Sequence, residues 1–128
     1  MCQINPQEVV ERGIIKMSEF SQIQQVGIDL SLSQEVSLKK GESINILLNE
    51  TITLPEDMYA TFIQRSSYSR KGVFVTAGIY DPGYYGSLGC TVYNLGEEIV
   101  ISKNERIGQV LVFKADSAKK YDGQWQGK

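Results

Sequence analysis

Four short runs gather side chains that could do chemistry. The first is Gln64-Arg65-Ser66-Ser67-Tyr68-Ser69-Arg70-Lys71-Gly72, which follows directly on an apolar stretch. Serine hydroxyls and free backbone N–H groups at a helix start can cradle phosphate oxygens, and a guanidinium fork can grip two of them at once. The same residues would equally make a solvated, capped helical turn. The second run is Thr76-Ala77-Gly78-Ile79-Tyr80-Asp81-Pro82-Gly83-Tyr84-Tyr85-Gly86. Asp-Pro-Gly is turn chemistry, because proline fixes φ and glycine permits a positive one. Asp81 could therefore simply bond its own backbone. It could also be a carboxylate held on a rigid loop beside an aromatic platform, which is how a general base faces a sugar or base ring. The third run, Gly27-Ile28-Asp29-Leu30, puts an acid inside an apolar strand, which is unfavourable unless the acid is paired or near a metal. Judged alone, Asp29 reads as half of a salt bridge. In the fourth run, Asn104-Glu105-Arg106-Ile107-Gly108-Gln109, a polar turn feeds the apolar Val110–Phe113, with Gln109 able to face inward.

What is missing narrows the chemistry further. The chain has no histidine, so it can form no Ser-His-Asp or Cys-His nucleophile pair and no His-Glu-x-x-His metal site. Cys2 and Cys90 stand alone, with neither a disulfide framework nor the paired cysteines of a zinc deaminase. Any catalysis must run on Asp, Glu, Lys, Arg, Ser, Tyr or a metal held by carboxylates.

The elements that must position these runs are mostly strands. Asn5 can cap a short helix, Pro6 suits its first position, and Gly13 can end it. From Gln25 onward, runs rich in Ile, Val, Thr, Tyr and Phe alternate with Gly, Asn, Asp or Pro breaks. Strands are expected at Ile28–Leu32, Val36–Leu38, Ile44–Leu48, Thr51–Leu54, Tyr59–Ile63, Val73–Val75, Leu88–Tyr93, Glu98–Ile101 and Gln109–Phe113. Many short strands at this spacing indicate a β-barrel or sandwich rather than a parallel sheet with crossover helices. After Phe113 the chain turns polar and glycine-bearing, the composition of a frayed tail, although it carries Trp125.

The 128 residues suit one domain, 1–128, able to hold a core without staples. With 13 basic and 15 acidic residues, the net charge is 13 − 15 = −2, against the basic face that binding to long nucleic acids requires. The start MCQINPQEVV has no signal-peptide pattern, and no apolar run approaches the ~20 residues of a membrane span. A cytoplasmic, reduced protein is expected.

Taken in order, the runs IDL, RSSYSRKG, AGIYDPGYYG and NERIGQ resemble the motifs of the dUTPase and dCTP deaminase superfamily. Gly78, Asp81, Tyr84 and Gly86 fall on the dUTPase spacing G-x-I-D-x-D-Y-x-G, and Asp81, Pro82, Gly83 and Gly86 on the deaminase spacing I-D-P-G-(F/W)-x-G. The end, Tyr121-Asp122-Gly123-Gln124-Trp125-Gln126-Gly127, is similar to the deaminase tail Y-x-G-x-Y-Q-G and lacks the glycine-rich last motif of trimeric dUTPases. One position separates the activities. Deaminases of the superfamily place a catalytic Glu ten residues past the motif Asp, and here that position is Thr91, whose hydroxyl cannot shuttle protons near neutral pH.

The resemblance implies an all-β fold, a distorted β-barrel or jelly-roll-like β-clip with a short N-terminal helix, and a tail or lid at about 115–128. It implies a dUTP diphosphatase in which Asp81 activates the water that attacks the α-phosphorus, giving dUMP and pyrophosphate. Arg65, Ser66, Ser67 and Arg70 would hold the phosphates and Gln109 would support them. Gly78, Ile79 and Tyr84 would contact the nucleoside, with Tyr84 stacking on the deoxyribose. A hairpin at about Ser87–Thr91, including Gly89, would read the uracil edge, and Trp125 and Gln126 would close over it. Mg²⁺ would sit mainly on the phosphates, with Asp29 supporting it indirectly through water. Such proteins assemble as homotrimers with shared sites, so Arg65 and Ser66 would meet Asp81 across a subunit boundary. The other readings are a dCTP deaminase-like enzyme and a non-catalytic nucleotide-binding homologue.

Overall fold

Asn5 accepts a hydrogen bond from the Gln7 N–H at 2.8 Å, and Pro6 fills the first turn, so helix α1 (Pro6–Glu11) forms where cap and proline place it. It stops at Gly13, whose φ of +72° ends the helix. The structure, a computed structural model, describes residues 2–116 and 120–128. Residues 117–119, inside the stretch expected to be a tail, lie outside the described residues.

The remaining elements are strands and one helical turn. In chain order they are β1 (Ile15–Lys16), β2 (Ile28–Ser31), β3 (Val36–Leu38), β4 (Ser43–Thr53), β5 (Met58–Gln64), α2 (Ser66–Ser69), β6 (Val73–Thr76), β7 (Ile79–Tyr80), β8 (Tyr85–Asn94), β9 (Ile99–Ile101) and β10 (Arg106–Lys114). All strand pairings are antiparallel. One four-stranded sheet runs β1-β4-β8-β6, another runs β2-β10-β5-β7, and β3-β9 form a separate ribbon. The fold is therefore mostly β, as expected, in the form of two open sheets; no closed barrel forms among the described residues. Both sheets send alternate side chains into one core, with Leu30, Leu32, Ile52, Leu88, Val92, Ile107 and Val110 almost wholly buried.

Four elements, β1, β4, β7 and β8, differ from the sequence expectation. The strands expected at Ile44–Leu48 and Thr51–Leu54 are one strand, β4. The polar Asn49-Glu50 pair that suggested a break lies within it, at a bulge where the β4–β8 register shifts between Leu47 and Thr51. Glu50 is fully buried and accepts hydrogen bonds from the Ser31 N–H at 2.8 Å, the Ser31 hydroxyl at 2.7 Å and the Ser18 hydroxyl. Since Ser31 is on β2, this carboxylate ties one sheet to the other. The two-residue strands β1 and β7 are too short to leave a periodic signal. Ser87–Thr91 is no hairpin: it is the middle of β8, paired with β4.

Candidate active site

The geometry starts at the Asp81–Tyr84 turn. The Tyr84 N–H donates to the Asp81 carbonyl at 3.0 Å, Pro82 is second in the turn, and Gly83 is third with φ +82°. That is a type II turn, whose third position needs a positive φ and so takes glycine. The turn is also held from outside, by the Gly83 N–H on the Pro55 carbonyl at 3.1 Å. Asp81 thus sits on fixed backbone. Its side chain is exposed and, among the described residues, makes no hydrogen bond or ion pair, so the simple self-bonded turn is not what forms.

Asp81 lines a cavity of about 900 Å³, at the upper end of what a small-molecule site needs. Ile46, Leu47, Ala77, Gly78, Ile79 and Cys90 make its walls largely apolar, and among the described residues Asp81 is the sole acidic side chain lining it. Aromatic rings back the turn. Tyr84 lies between Tyr80, stacked at 6.4 Å between ring centres, and Tyr121, edge-on at 5.3 Å. The Tyr84 hydroxyl donates to the Ser87 carbonyl at 2.7 Å and the Tyr80 hydroxyl to the Gly89 carbonyl at 3.0 Å. Burial pushes both phenols above their ordinary range, so both keep their protons. Burial likewise pushes the Cys90 thiol up to about 12, which leaves it no nucleophile at neutral pH. Thr91 also lines the cavity, where its hydroxyl donates to the Asn45 side-chain oxygen at 2.7 Å.

The C-terminal segment closes one side. The Tyr121 N–H donates to the Pro82 carbonyl, the Gly127 N–H to the Tyr85 carbonyl at 2.9 Å and the Ser87 N–H to the Lys128 carbonyl at 3.0 Å. Gln126 pins the segment down. Its side-chain oxygen accepts from the Tyr85 N–H at 2.8 Å, and its amide nitrogen donates to the Gly83 and Tyr121 carbonyls at 3.0 Å each. The described tail is therefore laid along the Asp81 turn, with Trp125 exposed on the cavity rim.

A second group stands apart. Arg65 precedes the helical turn α2, with Ser66 and Ser67 in it and Arg70 after it, all exposed. Gln64 holds this turn against β6, donating to the Ser69 hydroxyl at 3.0 Å and the Val73 carbonyl at 2.9 Å and accepting from the Val75 N–H at 2.8 Å. The Arg65 guanidinium donates to the Arg106 carbonyl at 3.4 Å. Arg106 in turn pairs with Asp29 at 3.2 Å, and the Gln24 amide donates to the same carboxylate oxygen at 2.9 Å. Asp29 is thus the salt-bridge half that its strand position suggests. Gln109 faces Asp29 across the β2–β10 register. None of Arg65, Ser66, Ser67, Arg70, Asp29 or Gln109 lines the cavity, whereas Gly78, Ile79, Asp81, Tyr84, Gly89 and Trp125 do.

Among the described residues, no three His, Cys, Asp or Glu side chains cluster closely enough to hold a metal. A Mg²⁺ ion asks for few protein ligands when phosphates and waters supply the rest, so this donor set fits a metal carried on a nucleotide but provides no cage of its own. Arg106, Gln64 and Asn45 are site-region residues that the sequence left unassigned. Arg106 was visible inside the Asn104–Gln109 run, but Asn45 carried no signal, because its neighbour Thr91 is set by strand register.

The family model described as dUTPase matches residues 15–123. Over 87 residues, 67% of this chain, the sequence is 38% identical to the Pol polyprotein of ovine maedi visna related virus (strain South Africa), covering 8% of it. It is 32% identical to a probable deoxyuridine 5'-triphosphate nucleotidohydrolase of Methanothermobacter thermautotrophicus, over 70% of this chain and 60% of that protein. It is 31% identical to a dCTP deaminase of Pyrococcus abyssi, over 88% of this chain and 75% of that one. The chain thus spans only part of each of these relatives. In fold it is similar to the native dUTPase of EIAV, with a TM-score of 0.68 at 20% identity, covering 87% of this chain and 91% of that one.

Proposed function

The chain belongs to the dUTPase family, and on that premise we propose that it is a dUTP diphosphatase, cleaving dUTP to dUMP and pyrophosphate. The observation that carries the reading is the pairing of a free Asp81 carboxylate with a neutral Thr91. Among the described residues Asp81 is the only acidic side chain on the cavity, while the position where amine loss would need a carboxylate holds a hydroxyl bonded to Asn45.

In this reading the nucleoside enters the cavity beside Asp81. The Tyr84 ring backs the deoxyribose and leaves no room for a 2′-hydroxyl. Gly78, Ile79 and the β8 backbone at Gly89 border the base, and Trp125 covers it. Gln126 acts through the tail that it fastens rather than by touching the nucleotide, since its amide already has three backbone partners. Asp81 takes a proton from the water that attacks the α-phosphorus, and its fixed turn keeps the oxygen aimed without reorganisation. Mg²⁺ on the phosphates would offset the charge that develops there. Asp29, paired with Arg106 and Gln24, would support the ion only indirectly, through water. Arg65, Ser66, Ser67, Arg70 and Gln109 grip the phosphates from a neighbouring subunit of a homotrimer, which explains why they stand away from the cavity of their own chain. The setting is cytoplasmic, with Cys2 and Cys90 reduced; neither a membrane nor a long nucleic acid is a partner.

The test is a product assay with dUTP and dCTP side by side in Mg²⁺. Pyrophosphate release from dUTP is expected, with a fall on the order of 10²-fold or more in Asp81→Asn. Undiminished release from that variant removes Asp81 as the base. The likeness to the Pyrococcus deaminase over 88% of the chain, together with the tail, favours one second reading, a dCTP deaminase. Ammonia from dCTP would establish it. Binding without any product would make the chain a nucleotide-binding homologue.

A further inference from the structure

Asn45 and Thr91 face each other across the β4–β8 pairing, on the cavity wall that also carries Asp81 and Gly89. The Thr91 hydroxyl donates to Asn45 Oδ1 at 2.7 Å. Threonine is stiff at χ1, so this contact fixes the amide rather than following it. With the oxygen engaged, the Asn45 Nδ2 group has no protein partner among the described residues, and its exposed side chain opens on the cavity. The bonded pair therefore offers hydrogen-bond donors on a wall otherwise formed by Ile46, Leu47, Ala77 and Ile79.

We propose that the Asn45–Thr91 pair reads position 4 of the pyrimidine ring, accepting a keto oxygen and rejecting an exocyclic amine. The proposal rests on the dUTP reading of this cavity and names what makes it select uracil over cytosine. Uracil presents an acceptor oxygen at position 4, as thymine does, while cytosine presents an amino donor there. A donor held against a donor leaves both groups unsatisfied in an apolar wall, which discriminates more sharply than a missing contact would. Thr91 then has a second consequence: the residue that removes the deamination base also orients the amide that excludes cytosine.

The test is calorimetric titration of the full chain, in Mg²⁺, with the non-hydrolysable α,β-imido analogues of dUTP and dCTP, alongside pyrophosphate release from dUTP. The wild-type chain is expected to bind the uracil analogue at least about tenfold more tightly than the cytosine analogue, the effect of one neutral hydrogen bond. Asn45→Ala and Thr91→Val should bring the ratio close to one, and Thr91→Ser should keep it. Asn45→Asp, which offers an acceptor in place of the donor, should shift the preference toward cytosine. A wild-type ratio in Asn45→Ala or Asn45→Asp overturns the proposal, and continuing pyrophosphate release then leaves the hydrolase reading standing. A ratio that depends on Asn45 without any release from dUTP overturns the hydrolase reading and supports the pair as a base reader. Binding of neither analogue overturns both. Because Thr91→Val replaces the hydroxyl by a methyl and Thr91→Ser keeps it, they test the pair even where an Asn45 variant fails to fold.

Discussion

Tyr80 is bonded to Gly89, Tyr84 to Ser87 and Thr91 to Asn45, so three of the cavity's polar side chains are already committed, while Asp81 has no such partner among the described residues. The Asp81 carboxylate is thereby left open to a ligand or a water, while those three hydroxyls are engaged with the protein. Cys90, on the cavity wall, is held neutral by burial, and this has a measurable consequence. Its thiol is pushed from 9.0 up to about 12 in the folded protein, while the unfolded chain ionises near 9.0. Between those values the unfolded state binds fewer protons than the native one, so stability falls as pH rises, by up to about 1.4 kcal/mol per pH unit for one group. Tyr68, Tyr80 and Tyr84, raised by burial in the same direction, add to the loss from about one pH unit below their ordinary 10.0 upward. Urea unfolding at about pH 9 and 10 should show the decline in the wild type and a clearly shallower one in Cys90→Ala; a flat wild-type profile would rule out the shift. The sequence showed Asp81 because its turn signature is local. Asn45 stayed hidden because its meaning depends on a partner 46 positions away.

Among the elements, β4 shows most clearly what local pattern can and cannot convey. Its apolar alternation was legible on both sides of Asn49-Glu50, and those polar residues looked like a break. A break is the right inference when polar side chains must reach water. Here Glu50 finds the Ser31 N–H and the hydroxyls of Ser31 and Ser18, and Asn49 bonds Ser31, the Leu32 carbonyl and Asn104, so the strand runs on through a bulge. Such partners come from β2 and from loops distant in sequence, where no periodicity points. Glu50→Gln puts an N–H₂ donor among hydroxyl and amide donors, and should cost about 2–3 kcal/mol of stability in thermal or urea unfolding. Since Glu50 does not line the cavity, turnover per folded molecule should be unchanged. A stability equal to wild type would mean that this carboxylate does not join the sheets. The tail makes the complementary point. Polar composition alone suggested fraying, but Gln126 supplies the three bonds that hold the described part along the Asp81 turn.

At the scale of the whole molecule, the site residues fall into two groups. Asp81, Tyr84, Gly89 and Trp125 line the cavity, while Arg65, Ser66, Ser67, Arg70 and Gln109 lie toward the β5–α2 and β10–β2 side, linked through Arg106 to Asp29. In the proposed hydrolase the phosphates need both groups at one nucleotide, and a closed symmetric oligomer would bring them together by repeating one heterologous contact. A mixing experiment separates this arrangement from a site built within a single chain. Asp81→Asn lacks the base and Arg65→Ala lacks a phosphate grip, so each protein alone should be nearly inactive. If subunits of the two are unfolded together in equal amounts and refolded, a shared site that takes Asp81 from an Arg65→Ala chain and Arg65 from an Asp81→Asn chain is intact. Random assembly gives that combination at about one site in four, so roughly a quarter of wild-type turnover should return. A site contained within one chain can never regain both residues by mixing, and turnover would then stay at the level of the separate variants.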